Sequence, residues 1–205
     1  MHGYRGPGLN SRHRKAPSRT PPLNCPIKAR PQPDPEGIHL RSVLFVCTAN
    51  ICRSPMAEGV LRSMLSARGL GSHEVAIDSA GTHDYQAGKP PAPLALEVAK
   101  LRGYDISRQV ARRIMPSDFD RFDFILSMDR GQLANLRTVC PTRCKQKVEL
   151  LLEYGETYYG QDVPDPYGGN VRDFEKALAM IEDGCRGFAT LLAQMSKSKL
   201  APTAG

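Results

Sequence analysis

From Ser42 onward the apolar residues of the chain fall into two alternating rhythms. Residues 43–46, Val-Leu-Phe-Val, form an unbroken run of branched and aromatic side chains, which predicts a strand covered on both faces. Met56, Val60, Leu61, Met64 and Leu65 then recur at helical spacing on one face, and Gly69 stops that helix. Strands over 74–79, 122–128 and 147–152 alternate with helices over 94–101, closed by Gly103, and over 132–139. A last helix shows apolar positions at Phe174, Leu178, Ile181, Cys185, Phe188 and Leu192. This alternation through short links predicts an α/β fold: a four-stranded parallel sheet flanked by helices on both faces. In such sheets ligands bind beyond the carboxyl ends of the strands, at a switch point.

Ahead of His39 the pattern stops. Residues 1–37 carry eight of the 17 prolines and no apolar periodicity, which predicts a disordered, basic, Pro-rich extension over 1–38. The folded domain is expected over 39–198, with a flexible tail over 199–205. Of the 205 residues, 40% are hydrophobic and 24% charged, the composition of one soluble globular domain. The net charge of +7 is uneven. Residues 1–40 hold seven Lys or Arg against two acids, and the other 165 hold 21 against 19, so the basic character belongs mostly to the extension. That extension has no aromatic stripe to stack nucleic-acid bases, so a nucleic-acid partner is not expected. A later start of translation would need a codon other than Met, because the next Met is Met56.

No apolar run approaches the roughly 20 residues that cross a bilayer, and the first thirty residues lack a signal-peptide core. Six irregularly spaced cysteines fit reduced thiols, so a cytoplasmic location is expected.

The candidate chemistry sits where the first strand becomes a helix, in VCTANICRSPMAEG. A loop entering a helix N-terminus offers backbone N–H groups without partners, and the helix dipole adds positive character. That is an anion site before any side chain is counted. Arg53 adds a planar fork suited to two oxygens of a tetrahedral oxyanion. Cys47 begins the same loop, where these donors favour the thiolate and hence a nucleophile at neutral pH. A nucleotide P-loop would need glycines and a lysine that are missing here. Cys47 and Cys52, without a paired His, make a poor zinc site, and neither a metal nor a cofactor is expected.

The stretch Cys47-Thr48-Ala49-Asn50-Ile51-Cys52-Arg53-Ser54-Pro55 resembles the signature loop of the low-molecular-weight protein tyrosine phosphatases. The resemblance continues through Asp78-Ser79-Ala80-Gly81-Thr82, Gly88-Lys89-Pro90-Pro91, Ser127-Met128-Asp129 and Asp165-Pro166-Tyr167, covering roughly residues 41–195. It implies hydrolysis of phosphotyrosine through a phosphocysteine, with Cys47 as nucleophile and Arg53 binding the phosphoryl group. It also implies that Asp165 is the general acid and base, reversing composition alone, by which Asp165, between Pro164 and Pro166, reads first as a turn residue. Asn50 and Ser54 match residues that hold the loop and stabilise the thiolate, and Ser54 also reads as a helix cap. Asp129 matches a carboxylate that orders the site, or is an N-terminal helix acid. Tyr85 and Tyr167 match aromatic walls around a phenyl phosphate; a packing role is the alternative.

Cys52 matches a second loop cysteine that can trap the oxidised nucleophile as a disulfide, and reads otherwise as a small buried residue. Where the family usually has glycine stands Ala49, which would cost about 1 kcal/mol if the position needs a positive φ. Gly168 replaces a second tyrosine found in some eukaryotic members. A related arsenate-reductase chemistry needs a thiol where this chain has Ser127-Met128, and Cys140 and Cys144 leave that relay incomplete. Phosphoarginine phosphatases tend to have Thr where Ile51 stands here. The implied partners are phosphotyrosine proteins, a tyrosine kinase among them. A phosphate-binding module without catalysis would be favoured by loss of Cys47, Arg53 or Asp165, and all three are present.

Overall fold

The four strands β1 (Arg41–Cys47), β2 (Val75–Gly81), β3 (Phe124–Ser127) and β4 (Val148–Leu150) form one sheet in the order β2-β1-β3-β4, all parallel. The computed structural model describes residues 41–71 and 74–197; the expected extension over 1–38 and the tail over 199–205 lie outside them. As an inner parallel strand β1 is covered on both faces, which is why Val43, Leu44, Phe45 and Val46 are all fully buried. Alternate side chains go to separate cores. Val43 and Phe45 pack with α1 (Arg53–Ser66), α2 (Pro93–Leu101) and α5 (Val171–Lys197). Leu44 and Val46 pack with Phe119 of α3 (Asp118–Arg121) and Leu136 of α4 (Arg130–Val139). Helices therefore cover both faces, as the alternation of elements predicts.

The boundaries differ in instructive places. β2 runs on to Gly81, which pairs with Cys47 at the carboxyl end of β1. A short helix, α3, ends just ahead of the expected third strand, Phe122 closes it with its ring buried, and β3 itself starts only at Phe124. β4 keeps only three residues. Lys147 ends a 3-10 turn that buries its ammonium against the Phe119 and Phe122 carbonyls, 3.1 and 3.0 Å away. Leu151 and Leu152 are both fully buried, which consecutive residues of an edge strand rarely achieve, and they turn into a second 3-10 segment.

Chain order runs from β1 outward to β2, then across β1 to β3 and β4, so strand order reverses beside the carboxyl end of β1. That is where Cys47 lies. No helix among the described residues is long and apolar enough to cross a membrane.

The predicted stripe on α5, from Phe174 to Leu192, is buried throughout. Gly187 lets this helix approach the main chain at Tyr154, where a Cβ would collide with the carbonyl. Gly187→Ala is expected to lower the unfolding free energy by about 1–3 kcal/mol. A collision with main chain outweighs the roughly 1 kcal/mol that alanine gains over glycine within a helix, and urea denaturation measures the balance.

Candidate active site

Between Cys47, the last residue of β1, and Arg53, the first of α1, the chain makes one tight loop. Its carbonyls are used by the surrounding fold. Cys47 O accepts from Thr82 N at 2.8 Å, Thr48 O from His83 N at 2.9 Å and Ile51 O from Ala92 N at 2.8 Å. Its N–H groups are not: from Thr48 to Cys52 none donates to an acceptor among the described residues. Cys52 is the N-cap residue of α1 and makes no side-chain cap, and no acid stands in the first turn. The loop and helix end together leave a concave set of donors with the dipole behind it.

Asn50 determines the shape of this loop. It is the one non-glycine residue with positive φ among the described residues, at 57°. Ala49, suspected from sequence of needing that conformation, does not adopt it, so its Cβ carries no such strain. Asparagine tolerates the left-handed region better than other side chains, and this one is tied down. Its Nδ2 donates to Ser54 Oγ at 2.9 Å and Ser79 Oγ at 3.0 Å, and its Oδ1 accepts from Arg112 N at 2.9 Å. Ser54 is not a helix cap. It sits fully buried inside α1 with its Oγ 3.0 Å from Cys47 Sγ, close enough to hold a thiolate. Gly81 makes room behind the loop, where a Cβ would meet Thr48 O at 2.8 Å and the Ala49 carbonyl carbon at 3.1 Å.

The side chain of Arg53 is only 3% exposed. Nη1 donates to Asp129 Oδ2 at 2.8 Å and Val163 O at 3.0 Å; Nη2 donates to Asp165 Oδ2 at 2.7 Å and Thr48 Oγ1 at 3.4 Å. Its Nε is buried without a partner, a donor left over for a ligand. The two sequence readings of Asp129 merge here. Oδ1 caps α4 through Gln132 N at 2.7 Å while Oδ2 holds Arg53. Asp165 stands on a turn that Gly168 closes at φ 77°, and it is about half exposed.

A cavity of about 290 Å³ gathers Cys47, Thr48, Ala49, Ile51, Cys52, Arg53 and Asp165. Tyr85 and Tyr167 line it from opposite loops, and both are largely exposed, so neither serves as core packing. His83 stacks on the Tyr85 ring, centroids 4.8 Å apart. Cys52 shares the cavity, but burial, with the nearby Cys47 and Asp165, pushes its thiol up to about 12. Cys140 and Cys144 belong to the core on the α3–α4 side and Cys185 to that beneath α5, whereas Cys25 lies outside the described residues. No group of three or more His, Cys, Asp or Glu residues suited to a metal ion occurs among the described residues.

Four supporting residues escaped the sequence reading as individuals. Ser79 passes the hold on Asn50 to Glu58, whose Oε2 accepts from Ser79 Oγ at 2.7 Å. Glu58 is buried, which pushes its carboxyl above the usual range, and Arg62 pairs with it at 2.9 Å. Arg112 presents its N–H to Asn50 and pairs with Asp78 and Asp118 at 2.9 and 2.8 Å. Gln132 reaches Thr48 Oγ1 at 3.2 Å. Its signal was legible: Asp-x-x-Gln at a helix start is a capping box. Asn50→Ala is expected to cost about 2–4 kcal/mol in unfolding free energy, from left-handed strain plus orphaned buried groups. Ala49→Gly should cost under about 1 kcal/mol; denaturation of the two variants side by side checks this.

The comparisons with known proteins agree with this geometry. Residues 42–199 match the family model described as low molecular weight phosphotyrosine protein phosphatase. The chain is 38% identical over 159 residues to the low molecular weight protein-tyrosine-phosphatase YfkJ of Bacillus subtilis, covering 77% of this chain and 97% of that one. It is 40% identical over 150 residues to the low molecular weight phosphotyrosine protein phosphatase of Homo sapiens, covering 72% and 93%. A crystal structure of a protein tyrosine phosphatase from Entamoeba histolytica superposes with a TM-score of 0.71 at 34% identity, over 78% of this chain and 99% of the other. The loop from Cys47 to Arg53 and the sheet that presents it thus belong to a chain of the low-molecular-weight protein tyrosine phosphatase family, an enzyme of that type.

Proposed function

We propose that the chain hydrolyses phosphotyrosine in proteins, and aryl phosphate monoesters generally, through a phosphocysteine on Cys47. The observation that carries this reading is the convergence on one cavity of the Cys47 thiol, the loop's free N–H groups and an Arg53 Nε with no partner. Asp165 lines the same cavity. A phosphoryl group seated among these donors has its phosphorus over Sγ. Sγ attacks, the bond from phosphorus to the ester oxygen breaks, and Asp165 gives the departing oxygen its proton. Water then attacks the phosphocysteine, Asp165 takes a proton back, and phosphate leaves with the Cys47 thiolate restored.

The contacts of Arg53 divide its work. Nη1 stays with Asp129 and Val163, which fixes the guanidinium, while Nη2 and Nε face the oxyanion. Substrate oxygens take over Nη2 from Asp165, which frees the carboxylate to serve the leaving group. Charge neutralisation comes from Arg53, backbone dipoles and the α1 N-terminus, so the chemistry requires no metal. Tyr85 and Tyr167 clasp the phenyl ring, which favours phosphotyrosine over the shorter phosphoserine. Ser54 supports the Cys47 thiolate, and Cys52 stands by as the thiol that captures an oxidised Cys47. The physiological setting is the cytoplasm, with phosphotyrosine proteins as partners and a tyrosine kinase among them.

In an assay of p-nitrophenyl phosphate with EDTA present, wild type should turn over and Cys47→Ser should lose at least about 10³-fold; equal rates would remove Cys47 as nucleophile. Asp165→Asn should slow turnover by about 10²–10⁴-fold, most for phenols that leave poorly. An unchanged rate on phosphotyrosine would take the acid role from Asp165. Deletion of residues 1–38 should leave turnover nearly intact, since the whole site lies between Cys47 and Tyr167.

A further inference from the structure

Thr48 follows the nucleophile directly, and its hydroxyl sits between two side chains that can each be oriented without ambiguity. Gln132 is buried, and its Oε1 accepts from Met128 N at 3.1 Å. A main-chain N–H only donates, so the other end of the amide is Nε2, which donates to Thr48 Oγ1 at 3.2 Å. Arg53 likewise has only donors, and its Nη2 reaches the same oxygen at 3.4 Å. Both acceptor positions of Thr48 Oγ1 are therefore filled, and the one hydrogen of the hydroxyl must point elsewhere. No protein acceptor for it is found among the described residues, and Thr48 borders the cavity beside Cys47 and Arg53.

We propose that Thr48 is a catalytic residue whose O–H donates to a non-bridging oxygen of the phosphoryl group, with Gln132 as the positioning residue that turns it there. The assignment rests on the phosphatase reading above and adds to it a side-chain donor. Arg53 Nη2 donates to the same oxygen, so the guanidinium polarises the hydroxyl as well as binding the anion. Charge grows on the non-bridging oxygens as the ester bond breaks, so this donor acts mainly on the transition state. Gln132 touches no substrate. It links the α4 cap to the loop, because its own N–H bonds Asp129 Oδ1 at 2.7 Å, and Asp129 holds Arg53.

The test uses the full chain, with p-nitrophenyl phosphate turnover and binding of inorganic phosphate as separate readouts. Thr48→Val, which removes the hydroxyl and keeps the shape, should lower kcat by about 10- to 100-fold while KM changes far less. Thr48→Ser should recover most of that loss. Gln132→Glu still accepts from Met128 N, but it offers Thr48 an acceptor in place of a donor, which draws the O–H out of the cavity. In that background Thr48→Val should cost less than about twofold, since the hydroxyl is already turned away. An equal cost in both backgrounds would mean that Thr48 merely packs, and would overturn the assignment; so would a Thr48→Val enzyme with unchanged kcat. A wild type that neither turns over nor binds phosphate would instead defeat the phosphatase reading itself.

Discussion

A guanidinium taken out of water is costly unless its donors are met, and the site is organised around meeting those of Arg53. Asp129, Val163, Thr48 and Asp165 each supply an oxygen, and they come from three separate parts of the chain. Asp129 is able to do so because it caps α4 with its other oxygen. Val163 presents its carbonyl because its N–H is bonded to Met128 O at 2.8 Å. One buried cation thereby fixes the phosphate loop, the end of β3 and the loop bearing Asp165 relative to one another. The Nε that this arrangement leaves unmatched marks the direction in which it is incomplete.

A second constraint acts on the backbone. The loop turns through Asn50 at φ 57°, and the strain is compensated by Ser54, Ser79 and the Arg112 main chain. Ser79 stands on β2 and Ser54 in α1, so the sheet and helix hold the loop open before any ligand arrives. The same Ser54 hydroxyl that steadies Asn50 also touches Cys47 Sγ. Loop shape and nucleophile are thus coupled through one oxygen atom, which lies fully buried where water does not compete.

Much of this was legible in the sequence, and the exceptions have physical causes. The central strand could be read because burial on both faces makes its apolar run continuous. The edge strand β4 could be read but not its ends, because Lys147 buries its ammonium against carbonyls and Leu151 and Leu152 turn off the sheet to bury both side chains. Cys47, Arg53 and Asp129 stand at element ends and Asp165 on a loop, each within a motif that carries the family resemblance, and the fold brings all four together. Ala49 stands out only against the family's usual glycine, whereas the dihedral that matters belongs to the next residue. Gln132 and Ser79 act across 84 and 29 positions of chain, a separation at which pattern carries no information about contact.

The ion pair between Arg53 and Asp165 also bears on which anions enter. Nε is open to any anion, but a ligand oxygen that takes Nη2 has to displace a carboxylate already 2.7 Å from it. A singly charged group of similar shape, such as a sulfate ester, offers little more than the carboxylate it would replace. A phosphate monoester near its dianionic form offers about twice the charge, spread over three oxygens. For the reaction proposed, the resident carboxylate therefore sets a threshold of charge at the entrance. Selection by charge there precedes any selection by the two tyrosine rings.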